Sequence, residues 1–433
     1  MYRFVNFKGF ADATLDLRTP VTILIGRNGA GKSNAVEALT VLGAVVDGTQ
    51  INEMLDIHGP PEGLLRGGIL NAVRAGCGEF GLGVASEVDG DSIDYHFTIK
   101  IQRVQGRQVP ASIVDEQLSR AGRQLLNCRT RGKGILRVKF DGSDGKVRQI
   151  NVPASAAVVV DAAELGTLPA STELQLTAKH IGSVAKVPMV LDADPKAMRD
   201  YSPGSPRDLV SDASNVATVL WHMTRPKTGN PEGFARILAA LRELPEEPFH
   251  TIRAIRTVAG DCTFGLADER DNISYGARLI SDGTLRTLAV LTALETADST
   301  RVLAIEEFDN GIHPSRAKKL VGIVFEAAQR RGLKVVLTTH NPSVLNALTR
   351  DQMNGVVLCW WDEATKASKL SHLVDLPDPD SFLAPGHLGE DVTKEVYRSH
   401  LISEEEYAEK RRVGVAQTIA WLRESHQQMR GEK

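Results

Sequence analysis

The chain has 433 residues, 42% of them hydrophobic, and 51 Lys and Arg against 54 Asp and Glu give a formal net charge of −3. That length exceeds the usual compact domain, so one large interrupted domain or two lobes are expected, and the near balance of charge excludes a global pull towards nucleic acid or anionic membrane. Four scattered cysteines (Cys77, Cys128, Cys262, Cys359) form no paired ligand motif, the start lacks a signal-like apolar core, and no apolar run approaches a bilayer span of about 20 residues, so a soluble cytoplasmic protein with reduced thiols is expected.

Taken in chain order, Tyr2 to Asp16 reads as a strand, a turn and a second strand around Asn6-Phe7-Lys8-Gly9-Phe10. Val21 to Ile25 is β-branched and charge-free, a buried strand that runs into glycines and then into a helix from about Lys32 to Leu42. Residues 79–101 alternate in two strand-like runs, and Ile135 to Phe140 and Val147 to Val152 form a hairpin about Gly142-Ser143-Asp144-Gly145, so this half reads as antiparallel. Residues 205–245 read as mostly helical, broken near Pro226 and Pro231 and closed by Pro245 and Pro248. From Ser281 the pattern becomes helix, strand (Val302 to Ile305), helix, strand (Val335 to Thr339), helix, the alternation of a parallel sheet. Residues 403–433 are charged and helix-prone.

Gly26-Arg27-Asn28-Gly29-Ala30-Gly31-Lys32-Ser33 matches G-x-x-x-x-G-K-[ST] between a strand and a helix, the context this motif needs. Glycines let successive backbone N–H groups turn inward on phosphate oxygens, and the following helix adds its positive end. Lys32 is expected on the β- and γ-phosphates, Ser33 on Mg²⁺, and Asn34 continues the loop into the helix. Val302-Leu303-Ala304-Ile305 ends in Glu306 and Glu307; beside a phosphate loop, Glu306 is expected to hold Mg²⁺ and Glu307 to orient or deprotonate the attacking water.

In this order, Asn6 to Phe10, the phosphate loop, Ser281-Asp282-Gly283-Thr284, Glu306 to Pro314 and Thr338-Thr339-His340-Asn341-Pro342 resemble ABC-type ATPases. More narrowly the chain resembles the RecF/SMC/Rad50-like and OLD-like branch, with its stand-alone AAA-type ATP-binding proteins of bacterial anti-phage defence. The resemblance covers residues 1–42 and 275–350. It implies an α/β fold: an ABC-ATPase head with a parallel core sheet, an antiparallel β lobe and an inserted mostly helical lobe. The implied division is 1–105 and 251–400 as the two halves of the head, 106–250 as the insert and 401–433 as a helical tail. It further implies that Ser281 and Gly283 cap the γ-phosphate of an opposite subunit, that His340 is the switch histidine, and that Asp309 and Asn310 face across the dimer. Taken singly, Ser281 to Thr284 is a turn or helix cap, and His313-Pro314 caps and starts a helix.

Two positions depart from the family: Glu306 stands where it has Asp, and Phe308 where it has Pro. Gln102, Gln105 and Gln108 are candidates for a glutamine loop without a supporting motif. Asp378 and Asp380 in a Pro-rich stretch, and Asp192 and Asp194 ahead of the switch region, read as loop acids, so no nuclease is expected within the chain. Arg120 to Lys139 carries seven cations (Arg120, Arg123, Arg129, Arg131, Lys133, Arg137, Lys139) and no acid, which fits either a nucleic-acid backbone or a solvated loop and acidic protein partner. The expected function is an ATP- and Mg²⁺-dependent switch that assembles with itself and controls an effector such as a nuclease or toxin, without a membrane role. A DNA-clamping repair ATPase and an ATP-gated scaffold with little turnover are the alternatives.

Overall fold

The computed structural model describes residues 1–376 apart from 52, 56–64, 69–70, 102, 105–106, 109–110, 133, 165–167, 245–248 and 269–272. Its N-terminal part alternates strands with tight turns: β1 (Tyr2–Phe7), β2 (Phe10–Leu15), β3 (Val21–Ile25), then helix α1 (Lys32–Val46), then β4 (Glu79–Val88) and β5 (Asp91–Lys100). After the two-residue strands β6 (Arg103–Val104) and β7 (Arg107–Gln108) come β8 (Ser112–Arg120), β9 (Arg123–Gly132), β10 (Ile135–Asp141) and β11 (Val147–Pro153). The expected hairpin of β10 and β11 is present, and β8 and β9 add a second, longer one. Eight of these strands form one antiparallel sheet in the order β11-β10-β9-β8-β5-β4-β1-β2. This sheet runs across residue 105, because β8 pairs with β5. One face is a continuous apolar layer with Phe4, Phe80, Phe97, Leu118, Leu126, Val138 and Phe140 all buried, and α1 packs against it.

The chain then forms α2 (Val158–Ala163), α3 (Thr172–Val184), β12 (Met189–Leu191), α4 (Pro195–Met198), α5 (Val216–Met223) and α6 (Pro231–Glu243). Residues 205–215, expected to be helical, are not. Pro206 cannot supply a helical N–H, and Asn215 binds this stretch in place, accepting from Val210 N at 3.0 Å and donating to Asp208 O at 2.7 Å. A small sheet of β13 (Phe249–Arg256), β14 (Cys262–Asp268) and β15 (Ser274–Gly276) leads into α7 (Asp282–Thr296).

The remaining elements are β16 (Val302–Ile305), α8 (Pro314–Arg331), β17 (Lys334–Thr339), β18 (Val356–Asp362) and β19 (Ala367–His372). After β17 a 3₁₀ turn over Pro342–Ala347 stands where a third helix is expected. The apolar run from Val356 then returns as a further strand. The core sheet has the order β12-β16-β17-β3-β18-β19; its pairings are parallel except β18 with β19. Strands buried on both faces need uninterrupted apolar residues, which is why Val21–Ile25, Leu303–Ile305 and Val335–Leu337 read as charge-free runs. The molecule is thus mixed α/β, with a parallel core sheet, an antiparallel β lobe and flanking helices.

Candidate nucleotide site

Register brings the sequence motifs together. In the core sheet Ile305 pairs with Leu337, and Thr339 pairs with Ile25. The residues that leave the carboxyl ends of β16, β17 and β3 are therefore Glu306-Glu307, His340 and Gly26, side by side. Open parallel sheets bind ligands at this edge.

The phosphate loop has the backbone its glycines require. Gly29 and Gly31 have φ of +80° and +108°, where a side chain is strained. Gly26 is required for a different reason: a Cβ there would lie 2.1 Å from Cys359 O on β18. Arg27, Asn28 and Gly29 are exposed, while Ala30 is buried and anchors the loop. Gly31 caps α1 without a side-chain acceptor, so the first-turn amides point to whatever the loop encloses. Lys32 is buried; its Nζ donates to Gly26 O at 2.7 Å and Arg27 O at 3.0 Å, within the loop. Burial pushes its ammonium below the usual range, against the opposing pull of Cys359, Glu307, Asp309 and Glu306.

The two glutamates differ sharply. Glu306 is buried and Glu307 exposed. Glu306 accepts a hydrogen bond from Ser33; burial raises its carboxyl above the ordinary value, opposed by that bond and by the Arg66 guanidinium. Glu307 has a left-handed backbone with φ +44°, fixed by its N–H donating to Thr338 Oγ1 at 2.9 Å, and its Oε2 accepts from Asn310 Nδ2 at 3.1 Å. Asp309 is also buried, and burial raises its carboxyl against hydrogen bonds from Thr339 and Asn341. His340 is exposed at the end of β17.

Ser33 and Glu306 fit a magnesium ion, because they converge as adjacent oxygen donors of the hard type this ion takes, one of them a carboxylate. In that role Ser33 would supply a hydroxyl oxygen and Glu306 a carboxylate oxygen.

Three participants escape sequence reading. Lys8 makes an ion pair with Glu37 of α1, which links the Asn6–Phe10 turn to the phosphate-loop helix. Asp192, read above as a loop acid, lies in the loop directly after β12. Leu191 pairs with Ile305, and Glu306 N donates to Leu191 O at 2.9 Å, so Asp192 and Glu306 are neighbours. The signal was present, since Met189-Val190-Leu191-Asp192 repeats the apolar-run-then-acid pattern of Val302–Glu306. Arg66 forms an ion pair with Glu306 and lies within 4 Å of Glu37 and Asp192, at 3.7 and 3.8 Å. An isolated Arg in a Gly-containing stretch gave no hint of this.

Ser281 is the N-cap of α7: its Oγ accepts from Thr284 N at 3.2 Å. Gly283 is required by packing, since a Cβ would meet Gly311 O at 2.6 Å. Ser281 and Asp282 are exposed, and Asp282 pairs with Arg199. His313 caps α8. Gln102 and Gln105 lie outside the described residues, as do Asp378, Asp380 and the 401–433 tail; Gln108 is described only as backbone.

Two stretches of the chain match AAA-domain models. Residues 3–44 match one described as "AAA domain", and residues 212–346 match one described as "AAA domain, putative AbiEii toxin, Type IV TA system". The first contains the phosphate loop, and the second contains Ser281, Glu306, Glu307 and His340. No curated protein matches the sequence. Among solved structures, the chain is similar to an SMC head bound to the C-winged helix domain of ScpA, with 12% identity over 86% of this chain and 95% of that one and a TM-score of 0.44. It is also similar to the SMC head domain from Thermotoga maritima, with 11% identity over 86% and 97% of the two chains and a TM-score of 0.39. A third is an Smc head with an extended coiled coil bound to the C-terminal domain of ScpA derived from Pyrococcus furiosus (11% identity, 86% and 94%, TM-score 0.40). The AAA matches and the phosphate loop support a nucleotide-binding ATPase.

The basic stretch is not a uniform patch. Arg120 pairs with Asp91 at 2.8 Å, Arg123 with Asp141 at 3.1 Å and with Glu173, and Arg129 stands 3.9 Å from Asp115. Arg131 and Lys139 are exposed, Arg137 is half-buried, and Lys133 lies outside the described residues. Among the described residues no helix is long and apolar enough to cross a membrane.

Proposed function

We propose that the chain is an ATP-hydrolysing switch that assembles with a second copy and passes its nucleotide state to an effector. The observation that carries this is the alignment of Gly26–Ser33, Glu306-Glu307 and His340 at the carboxyl edge of three adjacent parallel strands. In this reading the loop amides and Lys32 hold the phosphates, and Ser33 with Glu306 holds Mg²⁺. Glu307 accepts the proton of the attacking water, and its exposure leaves it within reach of solvent. His340 contacts the γ-phosphate.

Two copies would enclose the nucleotide, each completing the other's site with Ser281 and Gly283. Support comes from the exposure of Ser281 at a helix start, where an N-terminal dipole faces outward. The reading extends to an effector such as a nuclease or toxin and to a place in bacterial anti-phage defence; what bears on it is that the model matching residues 212–346 is described as a putative toxin of a Type IV TA system.

The test is nucleotide binding and oligomeric state together. Lys32→Ala should lose ATP binding, while Glu307→Gln should retain ATP and accumulate as an ATP-bound dimer in light scattering. Normal ATP affinity in Lys32→Ala would sink the reading. A monomeric Glu307→Gln–ATP complex would remove the enclosed dimer but not the site.

A second reading, clamping on DNA, is favoured by the exposed Arg131 and Lys139 on β9 and β10. It requires DNA binding that weakens steeply with salt and fails in Arg131→Ala/Lys139→Ala.

A further inference from the structure

The acidic corner of the site already holds a cation of its own. Carboxylates from three parts of the chain lie within 4 Å of that one cation: Glu37 on α1, Asp192 after β12 and Glu306 after β16. Arg66 faces all three, with its Nη2 on Glu306 Oε2, Nε 3.7 Å from Glu37 Oε1 and Nη2 3.8 Å from Asp192 Oδ2. The Glu306 side chain is only 5% exposed, whereas that of Arg66 is 61% exposed. The guanidinium therefore reaches in from solvent onto a buried acid.

The backbone beneath Arg66 is a built turn. Leu65 is buried as its anchor, Gly68 N donates to Leu65 O at 2.8 Å, and Gly67 and Gly68 both have positive φ, +81° and +68°. Lys8 Nζ, itself paired with Glu37, donates to Arg66 O at 3.2 Å. The side chain can leave while this turn stays in place.

Glu306 and Ser33 are the groups assigned above to Mg²⁺, and Arg66 uses the same carboxylate. A guanidinium satisfies a carboxylate without the octahedral geometry that Mg²⁺ demands. Among the described residues no three acidic, His or Cys side chains are drawn into a metal-holding group.

We propose that Arg66 is the resident counter-ion of the metal site, competing with the divalent cation for Glu306, so that metal loads only when Arg66 is displaced. This rests on the reading of Ser33 and Glu306 as the metal-holding pair and names the regulation of that site. In the metal-free protein Arg66 pairs with Glu306 and occupies its carboxylate. It also makes metal alone a poor ligand, so the site fills when metal arrives with the triphosphate, whose loop contacts supply the remaining free energy.

The test titrates Mn²⁺, read by its electron paramagnetic resonance signal, into the full chain without nucleotide. Arg66→Gln should bind Mn²⁺ about two- to fivefold more tightly than the natural protein, the scale of losing one competing ion pair with an exposed partner. Arg66→Lys should fall between, and it serves as the variant of record should Arg66→Gln fail to fold. Arg66→Gln/Glu306→Gln should lose the gain. Equal Mn²⁺ affinity in the natural protein and Arg66→Gln, or tighter binding that survives Glu306→Gln, overturns the proposal. So does a lowered ATP affinity at saturating Mg²⁺ with an unchanged Mg²⁺ midpoint, which would assign Arg66 to the nucleotide. Failure of the natural protein to bind ATP would instead count against the nucleotide reading, because the Mn²⁺ comparison needs none.

Discussion

Glu307 sits in the left-handed backbone region, with φ +44°, and side chains with a Cβ adopt this at a cost of about 1–2 kcal/mol. The strain turns its carboxylate outward at the strand end while Glu306, one residue earlier, points inward. Glu307→Gly should therefore be more stable than Glu307→Ala by about 1 kcal/mol, although both lose turnover. Chemical denaturation of the two variants checks this, and an Ala form at least as stable as the Gly form would contradict it. Gly26 has no such latitude. Gly26→Ala places a methyl 2.1 Å from Cys359 O, so the backbone of β18 or the loop must move. We expect a loss of about 1–3 kcal/mol together with loss of ATP binding. Retained stability with normal ATP affinity would show that β18 yields.

At the scale of elements, two helix starts are exposed to test. Ser281 caps α7 through Thr284 N, and Ser281→Ala should cost about 1 kcal/mol by itself. If Ser281 also completes a second copy's site, ATP-driven assembly falls further than Lys32-independent stability does; assembly that falls no more than stability reduces Ser281 to a cap. The start of α2 is held differently. Glu116 on β8 is fully buried, accepts from Val158 N at 2.8 Å, Val159 N at 2.9 Å and Tyr95 Oη at 3.1 Å, and burial pushes its carboxyl up to about 7. The folded form then holds its proton more tightly than the unfolded chain, whose carboxyl titrates near 4.5. Stability should accordingly fall as pH rises from about 4.5 through 7, by a few kcal/mol at most from this group. Glu116→Gln should flatten that slope in melting curves taken between pH 5 and pH 8; an unchanged slope would place the titration elsewhere.

The same scale shows what the sequence could disclose. Strands buried on both faces were legible because burial forces apolar runs, and the phosphate loop because its chemistry demands particular glycines. Residues 205–215 break the helical expectation because a side chain, Asn215, organises the loop, and such side-chain-to-backbone hydrogen bonds have no periodicity. Asp192 was legible in its apolar run ending in an acid, but Arg66 was not. Its role exists only once β12 lies against β16 and the 65–68 turn meets α1, and neither contact is local.

At the scale of the whole molecule, ligand binding should be visible as stability. ATP with Mg²⁺ at a hundred times its dissociation constant should add about 2.7 kcal/mol, and ATP with EDTA much less. Thermal shifts that are equal with and without divalent metal would argue against a metal-bridged site. Arg331 and Arg330 of α8 and Arg236 of α6 gather around α7, with Arg236 Nη2 3.0 Å from the buried Glu295 and Arg330 paired to it. Glu295→Ala should therefore loosen these three helices together, at a cost of about 1–2 kcal/mol, because Arg236 and Arg330 keep access to solvent; unchanged stability in denaturant would contradict this.

The pairing of β3 with β17 and β18 has a consequence during synthesis. Val21–Ile25, charge-free and fully buried in the finished protein, meets neither partner strand until roughly 300 further residues have been made. At about 5–20 residues per second that is a wait of some 15–60 s with a sticky apolar strand on the nascent chain. The phosphate loop cannot be shaped during that wait either, since Gly26 is seated against Cys359. Ribosome-bound intermediates should therefore be nucleotide-blind and in need of a chaperone until the last strands emerge, and ATP competence should appear late and all at once.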